Sequence, residues 1–70
     1  MSVTREITTV SNLDHDITLC VIVDDPKEIE HRYSVQCGHE VHLDLNYAQA
    51  CKQFGLCVMH SAQCMGLLDG

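Results

Sequence analysis

The clearest order in the chain is a strict alternation of apolar and polar positions from Glu28 to Cys37. Ile29, His31, Tyr33, Val35 and Cys37 fall on one side, and Glu28, Glu30, Arg32, Ser34 and Gln36 on the other. A period of two puts alternate side chains on opposite faces of a strand, so 28–37 is predicted as a strand with one face on a core. After Gly38 the alternation resumes, with Val41, Leu43 and Leu45 opposed to Glu40, His42 and Asp44. Gly38 therefore marks a hairpin tip and 39–45 the returning strand. Upstream, Ile17 to Val23 is apolar except for Thr18, as expected of a strand covered on both faces or central in a sheet. Val3 to Val10 is rich in β-branched residues and predicts a first strand, with Ser11 to Asp16 as its loop. Asp24-Asp25-Pro26-Lys27 supplies turn chemistry between the second and third strands.

From Asn46 the period becomes helical. With Tyr47 as reference and about 100° per residue, Cys51, Phe54, Val58, Ala62 and Met65 fall within about 60° of it, and Ala50, Cys57, Ser61, Cys64 and Leu68 widen the stripe on one side. Asp44 or Asn46 is placed to cap the start. Gly55 predicts a kink in one helix of about 46–67, with two short helices as the alternative. The expected fold is α+β: an antiparallel meander of three or four strands, with the C-terminal helix on one face, in a single domain over 1–70. The strand-rich part covers 1–45 and the helical part 46–68. Its inner layer is expected from Ile29, Tyr33, Val35, Val41, Leu43 and Leu45 against Tyr47, Cys51, Phe54, Val58 and Met65. The opposite helix face carries Gln49, Lys52, Gln53, Leu56, Met59, His60, Gln63 and Leu67, with one charge among them. Leu56, Met59 and Leu67 there suggest a surface covered by a partner or by a second copy in a homodimer.

Length changes the picture by limiting it. A chain of 70 residues buries only about 60% of its unfolded surface and leaves no room for a deep substrate cleft. No enzyme is expected, since there is no Gly-rich phosphate loop and no nucleophile elbow. A calcium loop beginning at Asp14 fails, because Leu19 and Asp25 stand where Gly and Glu are needed.

Charge narrows the partners. Ten acidic residues against four Lys and Arg give a formal net charge of -6. Direct nucleic-acid binding needs basic residues to neutralise phosphates and is not expected. A protein partner with a basic surface is, and Asp14, Asp16, Asp24, Asp25, Glu28, Glu30 and Glu40 are the candidate contacts. The first ten residues hold Arg5 and Glu6 and no apolar run of export length, and no stretch is long enough to span a bilayer. Five cysteines without an export signal read as reduced thiols in the cytoplasm.

One cysteine and histidine set is a candidate for metal. The strand after His39 travels about 20 Å from the hairpin tip, and a helix packed antiparallel regains that level after about 11–14 residues, at Cys57 to His60. Cys37, His39, Cys57, His60 and Cys64 could then supply a zinc ion with four sulfur and nitrogen ligands. The competing expectation is no cofactor, with the cysteines packed as small apolar groups. In size and charge, though in no motif, the chain is similar to the small acidic inhibitors that phages and mobile elements encode against host defence or transcription machinery. That resemblance implies an anti-defence role in which carboxylates stand in for phosphates and mask a basic nucleic-acid-binding surface of a host protein.

Overall fold

The computed structural model describes residues 2–68. Four strands, β1 (Val3–Val10), β2 (Ile17–Val23), β3 (Arg32–Cys37) and β4 (Glu40–Leu45), are followed by one helix, α1 (Tyr47–Cys64). The strands form one antiparallel sheet in the order β1-β2-β3-β4, the meander that its short connections favour. The helix packs on β3, β2 and β4 and leaves most of β1 exposed. The molecule is accordingly long and narrow, 46 × 18 × 16 Å.

Gly38 and His39 form the two-residue link of the β3–β4 hairpin. Gly38 has φ +62°, which L side chains rarely adopt and which a type II′ turn requires at its first central position. A second positive φ, +58° at Asp44, corrects the facing expected for β4. Val35 pairs with His42, but Tyr33 pairs with Leu45, so β4 spends one extra residue and forms a bulge. His42 and Leu45 are half-buried, whereas Val41 and Leu43 are exposed. A strict period of two put Val41 and Leu43 inside, and the left-handed residue at Asp44 breaks that period. A second bulge, between Glu6 and Thr8, leaves Ile7 out of register in β1.

Two further expectations are corrected. The third strand begins at Arg32, not at Glu28, and Ile29 is 97% exposed. The segment after Pro26 turns instead of pairing, held by the Glu28 N–H donating to the Asp25 carbonyl at 3.0 Å. The helix runs unbroken through Gly55 and ends at Cys64. Its buried residues Ala50, Cys57, Ser61 and Ala62, with half-buried Phe54 and Val58, centre a stripe rotated by about 40° from the one drawn through Tyr47. Tyr47 and Met65 lie in the direction of that stripe but are exposed at the two ends of the helix, and Cys51 is exposed at its edge.

The helix ends are well made. Asn46 accepts from the Gln49 N–H at 2.8 Å, and the Asn46 N–H donates to the Gln49 side chain at 3.0 Å, a reciprocal capping box. At the other end Gly66, at φ +76°, follows Met65; the Gly66 N–H reaches the Gln63 carbonyl and the Leu67 N–H the Ala62 carbonyl, each at 3.0 Å. These are the two bonds of a Schellman motif. The core is small: Ile17, Val35 and Cys57, flanked by Leu13, Leu19, Cys37, Leu45, Phe54 and Val58.

Candidate functional site

The sheet brings chemistry to both of its ends. Ile17 pairs with Cys37, and Ile22 pairs with Arg32; these two rungs, five residues apart, lie about 17 Å from each other. The candidate carboxylates divide accordingly. Asp14, Asp16 and Glu40 stand at the hairpin-tip end, and Asp24, Asp25, Glu28 and Glu30 at the end carrying the β2–β3 loop. All seven are exposed.

At the hairpin-tip end, the 11–16 loop folds onto the helix through His15. Its Nδ1 lies 2.9 Å from the Asp14 carboxylate, and its Nε2 lies 3.1 Å from Ser61 Oγ and 3.3 Å from Cys37 Sγ. With the single imidazole proton on Nδ1 and donated to Asp14, Nε2 offers one lone pair, which the nearer Ser61 hydroxyl can donate into, with the Cys37 thiol beside it. His15, in the segment expected as a loop, is half-buried and supplies the partner of a fully buried serine. Gly38 closes over it: a Cβ at that position would sit 3.3 Å from His15 Cδ2.

A histidine beside a thiol is the geometry of an activated nucleophile, but the electrostatics run the other way. Burial, followed by contact with the Cys57 thiol, pushes the Cys37 thiol up to about 11 from its ordinary 9.0. At neutral pH the thiol form therefore dominates, which favours packing over nucleophilic chemistry. Because the raised pKa belongs to the folded state, its stabilisation is whole below pH 9 and is lost as pH rises through about 11. Iodoacetamide at pH 8 is expected to label exposed Cys51 and Cys64 first and Cys37 at least tenfold more slowly, as read by peptide mass mapping. Equal labelling of Cys37 and Cys51 would contradict the assignment.

Four of the five candidate zinc ligands line the hairpin-tip end of the sheet: Cys37, His39 and His60 share one open cleft with His15 and Glu40, and Cys37, Cys57 and His60 share the adjoining one. Cys37 and Cys57 are neighbours at the core edge. Cys57 accepts from the Gln53 amide at 3.5 Å, which also lies 3.3 Å from His42 Nε2. His60 and Cys64 are exposed and lie 3.7 Å apart, and His39 is exposed on the turn. Among the described residues no three His, Cys, Asp or Glu side chains are grouped to hold a metal ion. Leu56, Met59 and Leu67 are exposed, with Leu56 at the rim of the cleft that Cys37, Cys57 and His60 line.

The opposite end is built differently. Arg32 ties the β2–β3 loop to the β4 bulge: Nη2 donates to Asp24 at 2.7 Å and Nη1 to Asp44 at 2.7 Å. The hydrogen bond to Asp24 and the attraction of its charge, with Asp44 adding to both, hold the Arg32 pKa above its ordinary value. Asp24 is thereby occupied, and Asp25 accepts from the Lys27 N–H at 3.0 Å. Glu28 and Glu30 project from the irregular segment before β3. Beside them is an open cleft of about 460 Å³ lined by Ile29, Glu30, His31, Tyr33, Asn46 and Tyr47 among others. Tyr33 and Tyr47 meet edge to face with centroids 6.0 Å apart, and Tyr47 is 70% exposed. The buried His31 Nδ1 has no hydrogen-bond partner, an arrangement that costs about 1–3 kcal/mol when nothing satisfies the atom.

Sequence reasoning assigned Tyr47 and Ile29 to the core and so missed this cleft. The only signal was chemical: both tyrosines flank the turn-rich segment and the helix cap, and no periodicity reports that. No protein-family model, curated protein or solved structure matches the chain. Among the described residues no helix is long and apolar enough to cross a membrane.

Proposed function

We propose that this chain is a small acidic, non-catalytic binding protein that acts by contact with a basic surface of another protein. The observation that carries this reading is the β2–β3 end, where exposed Asp25, Glu28 and Glu30 stand beside a cleft with an exposed tyrosine. Charged rims steer a partner of opposite sign, and a central aromatic supplies the anchor.

Magnitudes favour local contact over imitation of a whole duplex. Duplex DNA carries one charge per about 1.7 Å, so a length equal to the 46 Å long axis would carry about 27 charges. The formal net charge here is -6. Masking of a basic nucleic-acid-binding surface, the inhibitor role that size and charge suggest, would thus work by occupying part of that surface.

The test uses two charge-matched variants against a labelled arginine-rich 20-residue peptide, followed by anisotropy at about 0.15 M salt, where screening is strong beyond about 8 Å. Asp25→Lys/Glu28→Lys/Glu30→Lys is expected to weaken binding at least tenfold. Glu6→Lys/Asp16→Lys/Glu40→Lys, with the same net charge, is expected to weaken it by less than threefold. Equal losses would reduce the effect to net charge and overturn the assignment of a site. Displacement of a DNA oligonucleotide from the same peptide by the wild-type chain, and not by the first variant, supports the masking role.

A further inference from the structure

We propose that the cleft between the β3 entrance and the helix cap receives an arginine side chain of the basic partner, with Tyr47 and Tyr33 as its aromatic wall and Glu30 as its counter-charge. The inference rests on the binding reading above and names the group that this site recognises. Two independent features meet in one place. The Tyr33–Tyr47 pair, at 73° between ring planes, leaves the Tyr47 ring largely open to solvent. Ring faces attract cations, and guanidinium planes stack on them better than ammonium does. Glu30 lines the same cleft and has no hydrogen-bonded or ion-pair partner among the described residues. The nearby cation Arg32 is already held by Asp24 and Asp44, so it does not compete for that carboxylate.

The planar guanidinium has five donors in a fixed fork and can bond the Glu30 carboxylate through two of them while stacked on the ring. An ammonium of lysine is a compact, strongly hydrated charge and cannot span the same set. Surrounding charge agrees: Asp24, Asp25, Glu28, Glu30 and Asp44 outnumber Lys27 and Arg32 around this end.

The chain has no tryptophan and two tyrosines, Tyr33 and Tyr47, so its intrinsic fluorescence reads this cleft alone. Full-length protein is titrated with hexa-arginine and hexa-lysine, following tyrosine emission and, in parallel, the anisotropy of the labelled peptides. Hexa-arginine is expected to change the emission saturably and to bind at least fivefold more tightly than hexa-lysine. Tyr47→Ala is expected to weaken hexa-arginine about tenfold, the loss of one stacked cation; Tyr47→Phe restores it, and Glu30→Gln weakens it. Tyr47 is exposed, so these variants keep the fold, which circular dichroism checks. If Tyr47→Ala binds as the wild type does, or emission stays constant at saturation, the arginine cleft is wrong; loss in the Asp25/Glu28/Glu30 variant would leave the acidic binding reading standing. If neither peptide binds, both readings fall.

Discussion

Ile17→Ala is expected to unfold a large share of the protein at 37 °C. Ile17 is fully buried at the start of β2, paired with Val10 on one side and Cys37 on the other, and packed with Val35 and Cys57 in the core. Truncating a buried isoleucine to alanine costs about 2–5 kcal/mol through lost apolar burial and the cavity left behind. A domain of this length holds about 4–10 kcal/mol in total. The single change therefore removes between a fifth and all of it, and each kcal/mol lowers Tm by about 4–8 °C in a domain this small. Urea unfolding followed by circular dichroism measures the loss. Val41→Ala serves as control, since Val41 is more than half exposed and is expected to change stability by no more than about 0.5 kcal/mol. A cost below about 1 kcal/mol at Ile17 would show that the core is centred elsewhere.

The second large effect is expected at His15. Removing the imidazole by His15→Ala strands the Ser61 hydroxyl, which is fully buried and has His15 as its hydrogen-bond partner. An unsatisfied buried hydroxyl costs about 1–3 kcal/mol. Adding Ser61→Ala to that background removes the stranded group and is expected to restore part of the loss. The four proteins of this double-mutant cycle should show a coupling of about 1 kcal/mol in urea unfolding. Additive effects would mean that the bond contributes nothing. Binding of arginine-rich peptide should persist in all four, because His15 and the β2–β3 loop lie at opposite ends of the sheet. That separation distinguishes a brace that holds the 11–16 loop to the helix from a site that meets a partner.

The parts of the fold legible along the chain were those set by local chemistry. β1 and β2 have the extents that their β-branched and apolar runs predict. Gly38 is the hairpin turn because it alone there tolerates a positive φ without a Cβ in the way. Asn46, one of the two caps expected, caps the helix, whereas the stop at Gly66 falls inside the 46–67 expected to be helical. Of the candidate residues, the seven carboxylates are exposed as their charge requires.

What only the tertiary structure decided is which of several equally apolar side chains lies inside, and which polar ones meet. Val41 and Leu43 read as core until the Asp44 bulge turns them outward, and Tyr47 reads as core although it stands exposed at the first position of the helix. His15 finds Ser61 across 46 positions of sequence, and Tyr33 finds Tyr47 across the helix cap. Periodicity reports a strand or helix face relative to its own axis, and it is silent about bulges, axial rotation and long-range neighbours. Those follow from close packing of the whole chain. The class of fold was therefore written in the local pattern, while the Tyr33–Tyr47 cleft and the His15–Ser61 brace exist only once the sheet and helix are packed together.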